Sequence, residues 1–164
     1  MILNRQRRVL ISMRLLRNFV VSASRALRLP PQSFTVCLVT DAQIARWNRL
    51  YRGKPGPTDV LSFPEVTRET KRKEQATGRK RQPTRRPSLV SRSFLASPGA
   101  YLGDIAIAPS VARRNARRFG RTLDDEMRIL ILHGILHLMG YDHETDTGQM
   151  ERREQQLRRA LGLA

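Results

Sequence analysis

Near the start of the chain, apolar residues recur every three or four positions, which is the spacing of one helix face. The face runs through about residues 13–28, where it consists of Leu15, Leu16, Phe19, Val20 and Leu27. Pro30 and Pro31 follow, and proline cannot continue a helix because it lacks the backbone N–H. The pattern predicts a first helix that ends before these prolines, preceded by a short strand within ILNRQRRVL.

Three later segments, at 34–39, 58–63 and 101–108, have the apolar and alternating character of strands. Between the first two, a helix is predicted after Thr40 or Asp41, either of which can cap it. Its apolar positions are Ile44, Trp47, Leu50 and Tyr51. The run RGKPGP at 52–57 predicts a loop, because glycine and proline interrupt regular structure.

Three further helices are predicted in the C-terminal part. The first begins at Pro109 or Ser110 and ends at Gly120, with arginines outward and Ala112, Ala116 and Phe119 inward. Thr122 caps the second, which is apolar nearly all round over residues 127–139 and is therefore expected to be buried. The third spans about residues 145–161, and its Met150, Leu157 and Leu161 can cover from one side the histidine site described below.

Strands and helices interleave irregularly, which predicts an α+β (mixed α/β) fold: a small mixed sheet of about four strands packed with about five helices. A chain of 164 residues with 40% hydrophobic content fits one domain, residues 1–164, with a substantial core.

Residues 65–100 depart from this pattern. They contain ten lysines and arginines against three glutamates, few apolar residues, and scattered proline and glycine. This composition predicts a largely disordered basic insert and not a second domain. The insert is either a basic arm that binds nucleic acid or a surface insertion that stability tolerates.

The net charge of +17 indicates a polyanionic partner, because neutralising phosphates releases condensed counterions and favours binding. The alternative is that the charge only reflects an arginine-rich proteome and has no role in binding. Few aromatic residues argue against an aromatic RNA-binding platform. A lone cysteine, Cys37, lies in a strand-like run and predicts a buried, inert thiol in a reducing cytoplasm. No apolar run is long enough to span a membrane.

The three histidines of the chain all lie in the run HGILHLMGYDH, at His133, His137 and His143. His133 and His137 are four residues apart, so they project from the same face of a helix. Gly140 can take the left-handed conformation that ends the helix and carries His143 back toward them. Three ligands and one open position are what a catalytic zinc site requires, so the run predicts one zinc ion.

The spacing matches the metzincin peptidase signature except that Gly134 replaces its catalytic glutamate. A glycine within a helix costs about 1 kcal/mol relative to alanine, so local stability does not explain Gly134. It either allows tight packing against another helix or clears space beside the ion for a bulky substrate.

Several runs together resemble the YbeY family of bacterial rRNA maturation factors. These are HGILHLMGYDH at 133–143, NRLYRGKPGPTDVLSFP at 48–64 and LGDIAIA at 102–108. The insert at 65–100 is longer and more basic than the linker usual in that family. The resemblance implies a mixed sheet of about four strands, and zinc on His133, His137 and His143. It also implies that Arg52 lies near the metal and serves catalysis.

The resemblance further implies a single-strand-specific, metal-dependent endoribonuclease that acts on small-subunit (16S) rRNA in ribosome maturation and quality control. Two alternatives stay open. One is a non-catalytic factor that binds RNA and the ribosomal small subunit around a structural zinc. The other is a zinc peptidase, against which Gly134 argues because no acid adjoins the first histidine.

Four aspartates and Thr58 are candidates for supporting roles. Asp142 either orients an imidazole or belongs to the turn. Asp104 is expected to be structural. Thr58 and Asp59 are expected to fix the loop that carries Arg52. Asp146 can serve as a substitute ligand or lie in the first turn of the last helix.

Overall fold

The computed structural model describes residues 1–65, 101–142 and 146–163. Almost all of the predicted insert, residues 66–100, lies outside these ranges, and so does the predicted ligand His143. In chain order the elements are β1 (Ile2–Asn4), α1 (Met13–Ala26), β2 (Phe34–Leu38), α2 (Asp41–Arg52), β3 (Val60–Pro64), β4 (Gly103–Ile107), α3 (Pro109–Arg118), α4 (Leu123–Leu138) and α5 (Gln149–Ala160).

The four strands form one mixed sheet in the order β1-β2-β4-β3. β1 pairs with β2 and β2 with β4 in parallel, whereas β3 pairs antiparallel with β4. Ile105 of β4 pairs with Val36 of β2 on one side and with Ser62 of β3 on the other. The α+β prediction with about four strands and five helices is confirmed over the residues that the structure describes.

Side chains alternate between the two faces of the sheet along each strand, so both faces carry apolar residues. Helices cover both faces. Val36, Leu38, Ile105 and Ile107 point to the larger cluster, which also contains the buried residues of α1, α4 and α5. Leu61 and Ala106 point the other way, toward Ile44 of α2. The apolar helix α4 thus lies against the sheet under α1, α3 and α5, which explains why it is hydrophobic nearly all round.

Two predicted caps are confirmed. Thr40 Oγ1 accepts a hydrogen bond from the backbone N–H of Gln43, and Thr122 Oγ1 accepts one from Asp125. The prediction that Phe119 faces inward is wrong, since α3 ends at Arg118 and the Phe119 side chain is 54% exposed. Leu50 and Tyr51 are likewise exposed despite their helical spacing.

The last helix begins at Gln149, later than the predicted 145, because Gly148 takes a left-handed conformation with φ of 81°. Asp146 therefore precedes the helix. Its carboxylate accepts hydrogen bonds from the backbone N–H groups of Gly148, Gln149 and Met150, at 2.8, 3.1 and 2.8 Å. Asp146 thus supports the start of α5.

No helix among the residues that the structure describes is both long and apolar enough to cross a membrane.

Candidate metal centre

His133 and His137 project side by side from α4, as their spacing predicts. Their Nε2 atoms are 3.1 Å apart, and their ring centroids lie 4.7 Å apart with an interplanar angle of 77°. The rings lie where the buried helix reaches the surface, and the His133 side chain is 26% exposed. Both imidazole edges are therefore held together at one accessible point.

The other nitrogen of each ring has an acceptor. His133 Nδ1 lies 2.9 Å from Glu154 Oε2, and His137 Nδ1 lies 3.0 Å from the carbonyl oxygen of Tyr141. A carbonyl and a carboxylate can only accept, so each Nδ1 carries the hydrogen and donates it. In the neutral imidazoles each Nε2 atom then has an unshared lone pair, and the two lone pairs face one another.

Two facing lone pairs at 3.1 Å repel each other unless a proton or a metal cation lies between them. Nitrogen ligands bind zinc at about 2.0–2.1 Å, which places two ligands of one tetrahedral ion about 3.3 Å apart. The pair therefore fits two ligands of one ion. Across residues 1–65, 101–142 and 146–163, no three His, Cys, Asp or Glu side chains form a metal-binding group. The predicted third ligand, His143, lies outside those ranges.

Glu154 is a site residue that sequence reasoning missed. Its side chain is only 11% exposed, and its second oxygen accepts a hydrogen bond from Arg158 one turn later in α5. Burial raises the pKa of Glu154, but the hydrogen bond from His133, together with Arg158, outweighs burial and holds the pKa below its usual value. Glu154 is thus a carboxylate that fixes the tautomer and orientation of His133.

The sequence did contain a signal for Glu154. It lies four residues after Met150 and three before Leu157, so it occupies the apolar face of α5. An acidic residue on a buried face needs a partner, and here that partner is the imidazole of the neighbouring helix. For Asp142 the sequence left open this role or a place in the turn; the carboxylate that contacts His133 Nδ1 is that of Glu154.

The end of α4 is built as the sequence predicts. Gly140 has φ of 90°, and the N–H groups of Gly140 and Tyr141 donate to the carbonyls of His137 and Leu136. This turn directs the Tyr141 carbonyl back to His137 Nδ1. The turn therefore holds one histidine while it carries the chain toward position 143.

Gly134 is explained by packing against the sheet. A Cβ at this position would lie 2.7 Å from Cγ2 of Ile105, which is fully buried in β4. The carbonyl oxygen of Gly134 also accepts a hydrogen bond from Ser62 Oγ of β3 at 3.3 Å. Close packing is the alternative that the structure supports, although the partner is a strand and not the predicted helix.

Arg52 is the last residue of α2 and is exposed. The ring of its neighbour Tyr51 contacts Phe63 of β3, with centroids 5.3 Å apart. Ser62, next along β3, bonds to Gly134 beside His133. Strand β3 therefore connects the end of α2 with the histidine helix.

The loop after Arg52 is fixed by polar side chains. Asn48 Nδ2 donates to the carbonyl of Gly56 at 3.0 Å. Asp59 accepts from Thr58 Oγ1 and from the backbone N–H of Val60, and its second oxygen accepts from Asn115 Nδ2 of α3 at 2.9 Å. Thr58 and Asp59 thus have the structural role predicted for them.

Asp104 and Cys37 lie in the sheet. Asp104 Oδ1 accepts a hydrogen bond from the Tyr101 hydroxyl at 2.6 Å, in agreement with a structural role. Cys37 is half-buried, and burial raises the pKa of its thiol, with Asp104 acting in the same sense and Arg5 against it. The thiol is therefore protonated at neutral pH, as an inert cysteine should be.

Known proteins resemble this chain over most of its length. A family model described as Endoribonuclease YbeY matches residues 2–162. The Endoribonuclease YbeY of Nautilia profundicola is 36% identical over 135 residues, which are 82% of this chain and 76% of that protein. The one from Dinoroseobacter shibae is 39% identical over 147 residues, which are 85% and 72%.

A solved structure shows likeness in fold. The solution structure of a Thermotoga maritima protein superposes with a TM-score of 0.55 over 98% of this chain and 89% of that one, at 24% identity.

Proposed function

This chain belongs to the Endoribonuclease YbeY family, and on that premise we propose that it is a zinc-dependent, single-strand-specific endoribonuclease. One zinc ion would be held by His133, His137 and His143. The name carried by its relatives supports RNA cleavage, and the net charge of +17 suits an RNA substrate.

The observation that carries the proposal is the pair of Nε2 atoms 3.1 Å apart on one helix face. Their Nδ1 hydrogens are bound by Glu154 and by the Tyr141 carbonyl, so both lone pairs are directed at one point. A histidine pair with this tautomer and orientation is ready to bind a cation and poorly suited to donate protons.

When bound, zinc supplies Lewis acidity toward a phosphoryl oxygen and lowers the pKa of water. Arg52 would hold a phosphate of the substrate through its planar guanidinium and stabilise the negative charge that develops on it. Glu154 would keep His133 in one orientation through the reaction. RNA also contains its own nucleophile, the 2′-hydroxyl, so the chain can cleave RNA without the glutamate that a peptidase needs.

The biological setting is part of the proposal. We expect the enzyme to act in the cytoplasm on 16S rRNA, within small-subunit maturation and ribosome quality control, with the small subunit as its partner. The resemblance of residues 48–64, 102–108 and 133–143 to the family supports this setting.

The peptidase alternative is disfavoured by packing. A glutamate at position 134 would place its Cβ 2.7 Å from the buried side chain of Ile105. The position that carries the general base in metzincins therefore faces the sheet in this protein.

The test is cleavage of a short labelled single-stranded RNA by the purified protein, with and without chelator. His137→Ala and Arg52→Glu, purified identically, control for contaminating nucleases. We expect cleavage to be lost in both variants, and to return to the wild-type protein when zinc is added after chelation.

Equal cleavage by all three proteins would show contamination and overturn the proposal. A non-catalytic binding factor with structural zinc predicts a different result: no zinc-dependent cleavage, and a His137→Ala protein whose unfolding temperature falls sharply. A catalytic site predicts that activity is lost while the fold survives.

A further inference from the structure

The solvent-facing side of α3 is strongly basic. Four arginines project from it, and Arg121 follows just after the helix; together we call Arg113, Arg114, Arg117, Arg118 and Arg121 the arginine face. No acidic residue occurs between positions 109 and 121. The face therefore carries five positive charges within nine residues.

Only part of this charge is neutralised inside the protein. Arg114 pairs with Asp41 at 3.5 Å, and Arg121 pairs with the buried Glu126 at 3.2 Å. Within the part of the chain that the structure describes, Arg113, Arg117 and Arg118 have no carboxylate partner.

The sequence of α3 is unfavourable for the helix by itself. Arg113 and Arg117 are four residues apart, and so are Arg114 and Arg118. Like charges at this spacing destabilise a helix. Arg117 and Arg118 also interact favourably with the negative end of the helix dipole, but Arg113 and Arg114 lie too far from that end. Local stability thus does not explain the whole face.

An exposed aromatic ring lies at the end of the arginine face. Phe119 is 54% exposed, and the guanidinium carbons of Arg118 and Arg121 lie 5.7 and 5.2 Å from its ring centroid. Cation–aromatic contacts at these distances keep the ring and both guanidiniums together on the surface. Such a cluster offers flat surfaces for base stacking beside charges for phosphates.

We propose that the arginine face and Phe119 bind single-stranded RNA outside the metal centre. Arg121 is anchored to Glu126 in the first turn of α4, and His133 follows seven residues later in the same helix, about 10 Å along its axis. An RNA strand that is bound at the metal centre would extend beyond the cleaved phosphate and be held by the arginine face. The identity of the polyanion rests on the proposed function, whereas the site rests on the arginines and Phe119.

The test uses a triple variant, R113Q/R117Q/R118Q, and a matched control, R14Q/R17Q/R25Q. The control removes the same charge from exposed positions on α1. Binding of a 20-nucleotide 2′-O-methyl RNA is followed by fluorescence anisotropy at several salt concentrations. Thermal unfolding checks that both variants remain folded. Phe119→Ala and Phe119→Tyr test the ring separately.

We expect the arginine-face variant to bind at least about 10-fold more weakly than the control at moderate salt. The slope of log K against log salt should fall by about 2, because three phosphate contacts on a single strand are lost. Phe119→Ala should weaken binding about 5-fold or more with the slope unchanged, and Phe119→Tyr should restore it.

Equal RNA binding by the triple variant and the control would overturn the proposal. A protein would then be the favoured partner of the arginine face. Failure of the proposed function is distinguishable. If the wild-type protein cleaves no RNA but the triple variant still loses binding, the RNA-binding face stands and the ribonuclease assignment falls. If cleavage is confirmed but the triple variant binds RNA as well as the control does, the ribonuclease assignment stands and the RNA-binding face falls.

Discussion

Glu154 Oε2 accepts a hydrogen bond from Nδ1 of His133 at 2.9 Å, although the two residues lie 21 positions apart in the chain. The contact joins α5 to the histidine helix and, in the neutral imidazole, makes Nε2 the ring nitrogen that accepts. Arg158 holds the second oxygen of the same carboxylate. The last helix therefore covers the core and also orients a candidate metal ligand.

This contact predicts the effect of Glu154→Gln. The amide has the shape of the carboxylate but lacks its charge, so it holds His133 less firmly and makes its imidazole a weaker ligand. We expect zinc affinity to fall about 10- to 100-fold. Competition with a chromophoric chelator measures it. Glu151→Gln, on the exposed side of the same helix, is the control. Equal zinc affinities for the two variants would refute the role of Glu154.

Gly134→Ala should destabilise the fold by about 1–3 kcal/mol, because the new methyl group would lie 2.7 Å from Ile105 Cγ2. The better helix propensity of alanine, worth about 1 kcal/mol, offsets part of this loss. Urea unfolding measures the difference. In an Ile105→Ala background the clash is absent, so the same substitution should cost less or stabilise. An identical effect in both backgrounds would argue against the contact.

Gly103→Ala should be more damaging, by about 3 kcal/mol or more. Gly103 has φ of 135°, and a Cβ there would lie 2.1 Å from the carbonyl oxygen of Phe63 on the paired strand. Backbone cannot move aside as a side chain can. Gly120→Ala is the comparison, since Gly120 also has a positive φ but open space around it, and should cost about 1–2 kcal/mol. Equal unfolding free energies for the two variants would contradict this explanation.

Asp146 predicts an acid dependence of stability. Its pKa lies below the ordinary 3.8, chiefly because its carboxylate accepts the N–H of Met150; the N–H groups of Gly148 and Gln149 add to this, and desolvation opposes it. A depressed folded-state pKa stabilises the protein above the unfolded-state pKa, and this stability is lost as pH falls through the folded value. Asp146→Asn should therefore lower the unfolding temperature near neutral pH and lose its effect in acid.

Melting curves of both proteins between about pH 6 and about pH 3 measure this difference. A gap in unfolding temperature that stays constant over the whole range would show that the charge of Asp146 does not support the start of α5.

Much of the fold followed from local patterns in the sequence. Helical spacing predicted α1, α2 and α4, and the hydroxyl caps at Thr40 and Thr122 are where the sequence places them. Phe119 was misplaced because it matched the spacing of Ala116 but lies one residue beyond the last turn. Periodicity describes a helix only as far as the helix extends, and the end depends on packing and caps.

The sequence by itself determined the histidine pair, because two residues four apart on a helix share one face whatever surrounds them. It also determined the turn at Gly140, where the backbone conformation favours glycine. Only the tertiary structure decided that Glu154 orients His133 and that Gly134 packs on Ile105. Both contacts join elements distant in the chain, and their formation depends on how the helices and the sheet pack together, which no local spacing encodes.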